Sequence, residues 1–473
     1  MDDLSTRLDE LKDQGLYRRL RLVSGPQGPR VVLDGTPVLL LCSNNYLGLS
    51  DHPRIREAAA DAAMRWGVGA GASRLVSGSM TIHRRLEERL ASFKRTESSL
   101  LFGSGYMANV GVLQTLGDES SLICSDELNH ASIIEGCRAA KAPTFVYRHG
   151  DLEHLEWGLR ERIPAGATGR PLIVTDSVFS MDGDVAPLEG IADLAQRYGA
   201  RTVVDEAHGT GCVGPGGRGA IAAAGLEGEI DVIVGTLGKA LGSYGAFVAG
   251  SLDLTRYLIN RARPVIFSTA PAPPVVAGAL AALDLIETQP ERVERLQQNA
   301  SVLHGALRDE GVQLAGPASH IVPIVVGDAT TAMTLCERLL ERRVFAQAIR
   351  PPTVPQGTSR LRITISASHT PQELRRAAQA IAEVSRDLGL PVGSGPSRPS
   401  ITKTDDSFGE WSAAPAKAAN GRRHVAAAAA PYPAPAPVRS GNGGPEAGAF
   451  FDVEAIDPSM VRASRGAQRS GLR

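Results

Sequence analysis

Apolar residues recur along this chain in two rhythms, one at helical spacing and one in short unbroken runs. Residues 2–20 place Leu4, Leu8, Leu11 and Leu16 near helical spacing, which predicts an amphipathic helix. The run PVLLLC at 37–42 predicts a strand. From about 50 to 285, short apolar runs alternate with helical patterns. The runs are SSLICS (120–125), PTFVY (143–147), PLIVTDS (171–177), RTVVDEA (201–207), DVIVGTL (231–237) and GAFVAG (245–250). Strands with little polar alternation, separated by helices, predict an α/β fold with a mostly parallel sheet covered on both faces.

After about 285 the pattern changes. A polar-faced helix over 290–310 leads to a strand at 320–328, a helix over 330–342 leads to RLRITIS at 360–366, and a last helix opens at Thr370. Pro371 follows directly and Glu373 stands three residues on, which is a capping box with proline in the first turn. The predicted organisation is an N-terminal helix and arm (1–40), a large domain (41–285) and a smaller C-terminal α/β domain (286–390). From 391 to 473 the chain is rich in Ala, Pro, Gly and Ser, as in AAAAAPYPAPAP, and this tail is expected to be disordered.

Composition narrows the function classes. The formal net charge of −1 over 473 residues gives no reason to expect nucleic acid or an anionic membrane surface as partner. Five cysteines are scattered without a CxxC pair, so neither a disulfide framework nor a zinc site is expected. The first fifteen residues are charged and lack the apolar stretch of a secretory signal, and no apolar run reaches the ~18 residues of a membrane span. A cytoplasmic enzyme is the expectation.

Three predicted strands end in polar, Gly-flanked loops: DSVFSMDGD (176–184), DEAHGTG (205–211) and TLGKALG (236–242). In open parallel sheets, ligands bind beyond the carboxyl ends of the strands. An acid and a histidine three residues apart, Asp205 and His208, thus fall near Lys239, which follows the next strand. Taken singly these are a helix cap, a structural histidine and a solvated lysine. Their joint order fits pyridoxal 5'-phosphate (PLP), an electron sink held as an imine on a lysine with a carboxylate at its ring nitrogen. Asp205 is the candidate carboxylate, His208 reaches the ring hydroxyl, and Lys239 forms the imine. Phosphate would be held by Gly105 and Tyr106 in FGSGYMANVGVLQTLG (102–117), at the start of a helical pattern, with hydroxyl donors Ser104 and Thr236. His130, in SDELNHASIIEG, is placed to stack on a flat ring.

Two other motifs fail their context. GTGCVG (209–214) fits a dinucleotide fingerprint, but GPGGRG follows instead of a helix. DEAH (205–208) is a helicase spelling, yet no phosphate loop of the G-x-x-x-x-G-K-[ST] type precedes it.

Residues 1 to about 388 resemble the alpha-oxoamine synthases, fold-type-I PLP enzymes that join an amino acid to an acyl thioester. The resemblance rests on SNNYLGL (43–49), SRLVSGSMTIHRRLEERLA (73–91), LNHAS (128–132), VFSMDGD (178–184), VDEAHGTG (204–211), TLGKALG (236–242) and FSTAP (267–271). It implies Lys239 as imine lysine and general base, Asp205 at the ring nitrogen, and His208 and Ser180 at the ring hydroxyl. It implies His130 over the ring and Gly105, Tyr106 and Thr236 on phosphate, with Ser268 or Thr269 entering from the second subunit of a homodimer. Asn44 and Arg362 would meet the amino-acid carboxylate, and Arg18, Arg350 and Thr353 would line the thioester side. AIRPPTVPQGTSRLRITISASHT (348–370) looks like the branch that condenses L-alanine with a pimeloyl thioester, on CoA or acyl carrier protein, in biotin biosynthesis. The alternatives are a sister branch such as glycine C-acetyltransferase, or a catalytically silent binding subunit.

Overall fold

The computed structural model describes residues 2–392 apart from 165 and 315–317. Most of the expected 391–473 tail lies outside the described residues.

A seven-stranded sheet organises the large domain. Across it the strands run Ser98–Phe102, Ala246–Gly250, Val232–Thr236, Arg201–Asp205, Leu172–Asp176, Ile123–Asp126 and Thr144–Tyr147. Ala246–Gly250 is antiparallel to both of its neighbours, and the four remaining pairings are parallel. The unbroken apolar runs have a direct cause. Val203 packs into one hydrophobic core and its neighbour Val204 into another, so both faces of the strand are buried. Register aligns the strand ends: Asp176 pairs with Asp205, and Asp205 with Val234. Asp126, Asp176, Asp205 and Thr236 thus close their strands along one edge of the sheet.

The smaller domain is a three-stranded antiparallel sheet in the order Ile321–Gly327, Ser359–Thr364, Gln347–Ile349. Helices Glu291–Asp309, Ala329–Glu341 and Pro371–Asp387 accompany it. The capping box at Thr370 forms: its hydroxyl accepts from Glu373 N at 3.3 Å, and Glu373 Oε2 accepts from Thr370 N at 2.7 Å.

Three features differ from expectation. The first helix is Asp2–Asp13 and stops seven residues short of 20, because Gly15 takes a left-handed φ of 64° that a continuing helix cannot hold. The run at 37–42 yields Thr36–Leu40, which pairs in parallel with Val344–Phe345 and so ties the arm to the C-terminal part of the chain. Ser98–Phe102 is a strand that the apolar runs did not single out.

Candidate active site

The three polar loops converge at the aligned strand ends. Lys239 Nζ lies 3.0 Å from His208 Nε2, and His208 Nδ1 lies 2.7 Å from the hydroxyl of Tyr46. Burial lowers the affinity of the Lys239 amine for its proton, opposed by the charges of Asp205 and Asp176. Burial, and then the charge of Lys239, holds His208 well below the ordinary histidine range, so its ring is neutral. The turn carrying Lys239 is tight. Gly242 N donates to Lys239 O at 3.0 Å, and Gly242 has φ of 63°. A Cβ there would stand 2.5 Å from Ser50 N, so glycine is required.

Asp205 is buried and held from two sides. Its Oδ1 accepts from Ala207 N at 2.7 Å and its Oδ2 from Asn109 Nδ2 at 2.6 Å. Asn109 also donates to Ser132 Oγ at 2.9 Å, and Ser132 Oγ lies 2.7 Å from His130 Nδ1. His130 N donates to Asp176 Oδ2 at 2.7 Å. Burial, reinforced by the charge of Asp205, pushes the carboxyl of Asp176 well above the usual carboxylate range. The His130 ring caps the helix Ala131–Ala139 and is exposed.

Helix Gly105–Leu116 begins at the expected anion turn. Ser104 caps it, accepting from Met107 N at 3.2 Å. A Cβ on Gly105 would meet nothing within 4 Å, so the space in front of this helix end is open. Tyr106 is half exposed, and Thr236 Oγ1 accepts from Gly238 N at 3.0 Å.

Arg362 joins a second group of expected residues to this set. It donates to Asn44 Oδ1 at 3.2 Å, to Tyr46 Oη at 3.2 Å, and to the carbonyl oxygen of Ser180. Three other residues gather around the Pro351–Pro352 turn instead. Arg18 donates to Pro351 O at 3.3 Å, Arg350 donates to Gly15 O and Tyr17 O, and Thr353 N donates to Arg350 O at 3.1 Å. Thr269 is exposed and bridges to Ser73, and Ser268 lies beside it next to the exposed Phe267. Neither makes a hydrogen bond to Lys239, His208 or Asp205 among the described contacts.

Sequence reasoning passed over Asn109, Ser132, Asp176 and Tyr46. Asn109 stands one helical turn after Gly105, and Asp176 opens a loop already singled out. Tyr46 and Ser132 lie inside the motifs SNNYLGL and LNHAS.

The donor set fits PLP. A buried carboxylate held in a fixed orientation, a lysine with a weakened hold on its proton, a neutral imidazole beside that lysine and an open helix N-terminus supply what the ring nitrogen, aldehyde, hydroxyl and phosphate each require. Among the described residues no cluster of potential metal ligands is present, and no helix is long and apolar enough to cross a membrane.

Residues 36–381 match the model of the aminotransferase class I and II family, and the chain belongs to that family as a fold-type-I enzyme dependent on PLP. Within it the chain is an alpha-oxoamine synthase by likeness, similar to proteins named 8-amino-7-oxononanoate synthase. It is 50% identical over 389 residues to the one from Geobacter sulfurreducens, covering 82% of this chain and 99% of the relative. It is 46% identical to the one from Symbiobacterium thermophilum, covering 82% and 99%. Among solved structures it is similar to a serine palmitoyltransferase from S. paucimobilis with bound PLP-myriocin aldimine, at a TM-score of 0.77 and 34% identity over 82% of this chain and 98% of that one. An 8-amino-7-oxononanoate synthase from Francisella tularensis matches at a TM-score of 0.64 and 27% identity over 75% and 99%.

Proposed function

We propose that this chain condenses L-alanine with a pimeloyl thioester, on CoA or acyl carrier protein, giving 8-amino-7-oxononanoate, free thiol and carbon dioxide. The reading is supported by 45–50% identity to named synthases along nearly their whole length. The observation that carries its chemistry is the buried Lys239–His208–Tyr46–Arg362 chain of hydrogen bonds.

The cofactor, when bound, supplies an electron sink for the bonds broken at the α carbon of alanine. Lys239 would carry it and, once freed by the amine of alanine, would take the α proton, a role its weakened hold on a proton suits near neutral pH. Asp205, fixed by Asn109 and Ala207, would keep the ring nitrogen protonated. His208 and Ser180 would serve the ring hydroxyl, His130 would cover the ring face, and Ser104, Gly105, Tyr106 and Thr236 would hold phosphate. Arg362 and Asn44 clamp the carboxylate and so aim the α hydrogen. Arg18, Arg350 and Thr353 line the side where the thioester enters. Ser268 and Thr269 serve the site of a partner subunit in a homodimer, which accounts for the exposed position of Thr269. Carbon dioxide leaves from the condensed product, and Lys239 returns a proton to the same carbon. The enzyme acts in the cytoplasm.

The test is thiol release by purified, PLP-loaded enzyme, offering alanine or glycine against pimeloyl or acetyl thioesters. Alanine with the pimeloyl thioester is expected to turn over fastest. A clear preference for glycine with acetyl-CoA would place the chain in the sister branch. A visible absorption band that Lys239→Ala retains would remove Lys239 from its role.

A further inference from the structure

Tyr46 has no place in the roles above, yet it is fully buried between both halves of the site. Its hydroxyl faces three partners. Arg362 donates to it at 3.2 Å, Asn44 Oδ1 lies 3.1 Å away, and His208 Nδ1 lies 2.7 Å away. The far nitrogen of the same imidazole faces Lys239 Nζ at 3.0 Å. His320 packs edge-on against the tyrosine ring at 4.6 Å and fixes its plane.

A hydroxyl has one proton to give and two lone pairs, and a neutral imidazole has one N–H. Arg362 always occupies one lone pair of Tyr46. Two arrangements then satisfy every group. In the first, Lys239 is an ammonium and donates to His208 Nε2, the ring proton sits on Nδ1 and is donated to Tyr46, and Tyr46 donates to Asn44 Oδ1. In the second, Lys239 is a neutral amine and accepts from Nε2–H, while Tyr46 donates to Nδ1. Between the two, one proton has left Lys239 and the imidazole has changed tautomer. We propose that Tyr46 is a positioning residue that sets which nitrogen of His208 is protonated and thereby couples the Arg362–Asn44 pair to the amine of Lys239. An amino-acid carboxylate arriving at that pair competes for the partners of Tyr46 and is felt at the base. This consequence rests on the proposed carboxylate site; the coupling through Tyr46 does not.

Other charged and titratable groups face the set. Asp205, Asp176, His130 and Cys212 approach from the large domain, and Arg362 and His320 from the smaller one. All of them are unchanged in Tyr46→Phe, which keeps the ring and deletes only the hydroxyl. An orphaned buried N–H is costlier than an orphaned ring acceptor. The variant therefore disfavours Nδ1–H, the tautomer that receives the Lys239 ammonium.

The experiment is reductive methylation of the cofactor-free, substrate-free enzyme across pH, with the rate at Lys239 read by peptide mass spectrometry. In Tyr46→Phe the apparent pKa of Lys239 is expected to fall by about one unit, the worth of one hydrogen bond. An unchanged or raised value overturns the proposal, whatever Arg362 variants do to amino-acid binding. Circular dichroism checks the fold. Should Tyr46→Phe not fold, Asn44→Ala removes the acceptor needed by the first arrangement and is expected to lower the same pKa; no shift there overturns the proposal equally.

Discussion

Asn109 Nδ2 donates to Asp205 Oδ2 at 2.6 Å across 96 residues of sequence. The helix that begins at Gly105 therefore does two things. Its first turn presents N–H groups to the open space in front of it, and its second turn fixes the carboxylate proposed for the ring nitrogen.

Asn109→Ala is expected to leave far-UV circular dichroism unchanged and to weaken PLP binding by about 10- to 100-fold, the worth of a hydrogen bond to a charged group. Equilibrium dialysis or absorbance titration measures it. Asn109→Asp should be worse, since it sets a second carboxylate against Asp205.

Arg362→Lys should raise the KM for alanine much more than it lowers kcat. A lysine places one compact charge where the guanidinium reaches Asn44, Tyr46 and Ser180 at once. A fall in kcat/KM of about 10- to 100-fold is expected from steady-state kinetics. An unaltered KM would remove Arg362 from the carboxylate site.

His149 is clamped between Asp126 Oδ1 at 3.0 Å and Asp184 Oδ2 at 2.7 Å. Hydrogen bonds to Asp126 and then Asp184 push its pKa up to about 10. The folded value exceeds the unfolded one, so the stabilisation is complete below about pH 6.5 and fades as pH rises through 10. The difference in Tm between wild type and His149→Gln is expected to be largest near pH 6 and to close toward pH 10. A gap that widens with pH would contradict the clamp.

Lys94 and Glu206 form an ion pair with almost no exposure, and Lys94 Nζ also donates to Arg218 O at 2.6 Å. Glu206 directly follows Asp205. Lys94→Met leaves the Glu206 carboxylate buried without its cation, with Ile221 N still donating to Oε1 at 2.9 Å, at a cost of about 3–5 kcal/mol. Denaturant unfolding measures it, and a loss under about 1 kcal/mol would show that water or another donor reaches Glu206.

The central strands were legible because burial on both faces keeps charged residues out of 172–175, 202–204 and 232–236. The meeting of Lys239 and His208 was legible because each stands three residues beyond the end of its strand, and Asp205 because it closes one. Ser98–Phe102 was not, since two serines open it and only three apolar residues follow before the Gly-rich turn. The reversed direction of Ala246–Gly250 is a matter of connection, which composition does not encode. Asn109 looks like any helix-interior asparagine until its tertiary neighbour is known. The Lys94–Glu206 pair joins positions 112 apart, beyond any local pattern.

The sheet order has a consequence for biosynthesis. Ser98–Phe102 bonds only to Ala246–Gly250 in this sheet, which the ribosome makes roughly 150 residues later. At about 5–20 residues per second the earlier strand waits about 10–30 s with an unsatisfied edge. During that interval the nascent chain offers a β template to any other extended segment. Crowded polysomes and slow translation between residues 102 and 246 are where misassembly of this enzyme would begin.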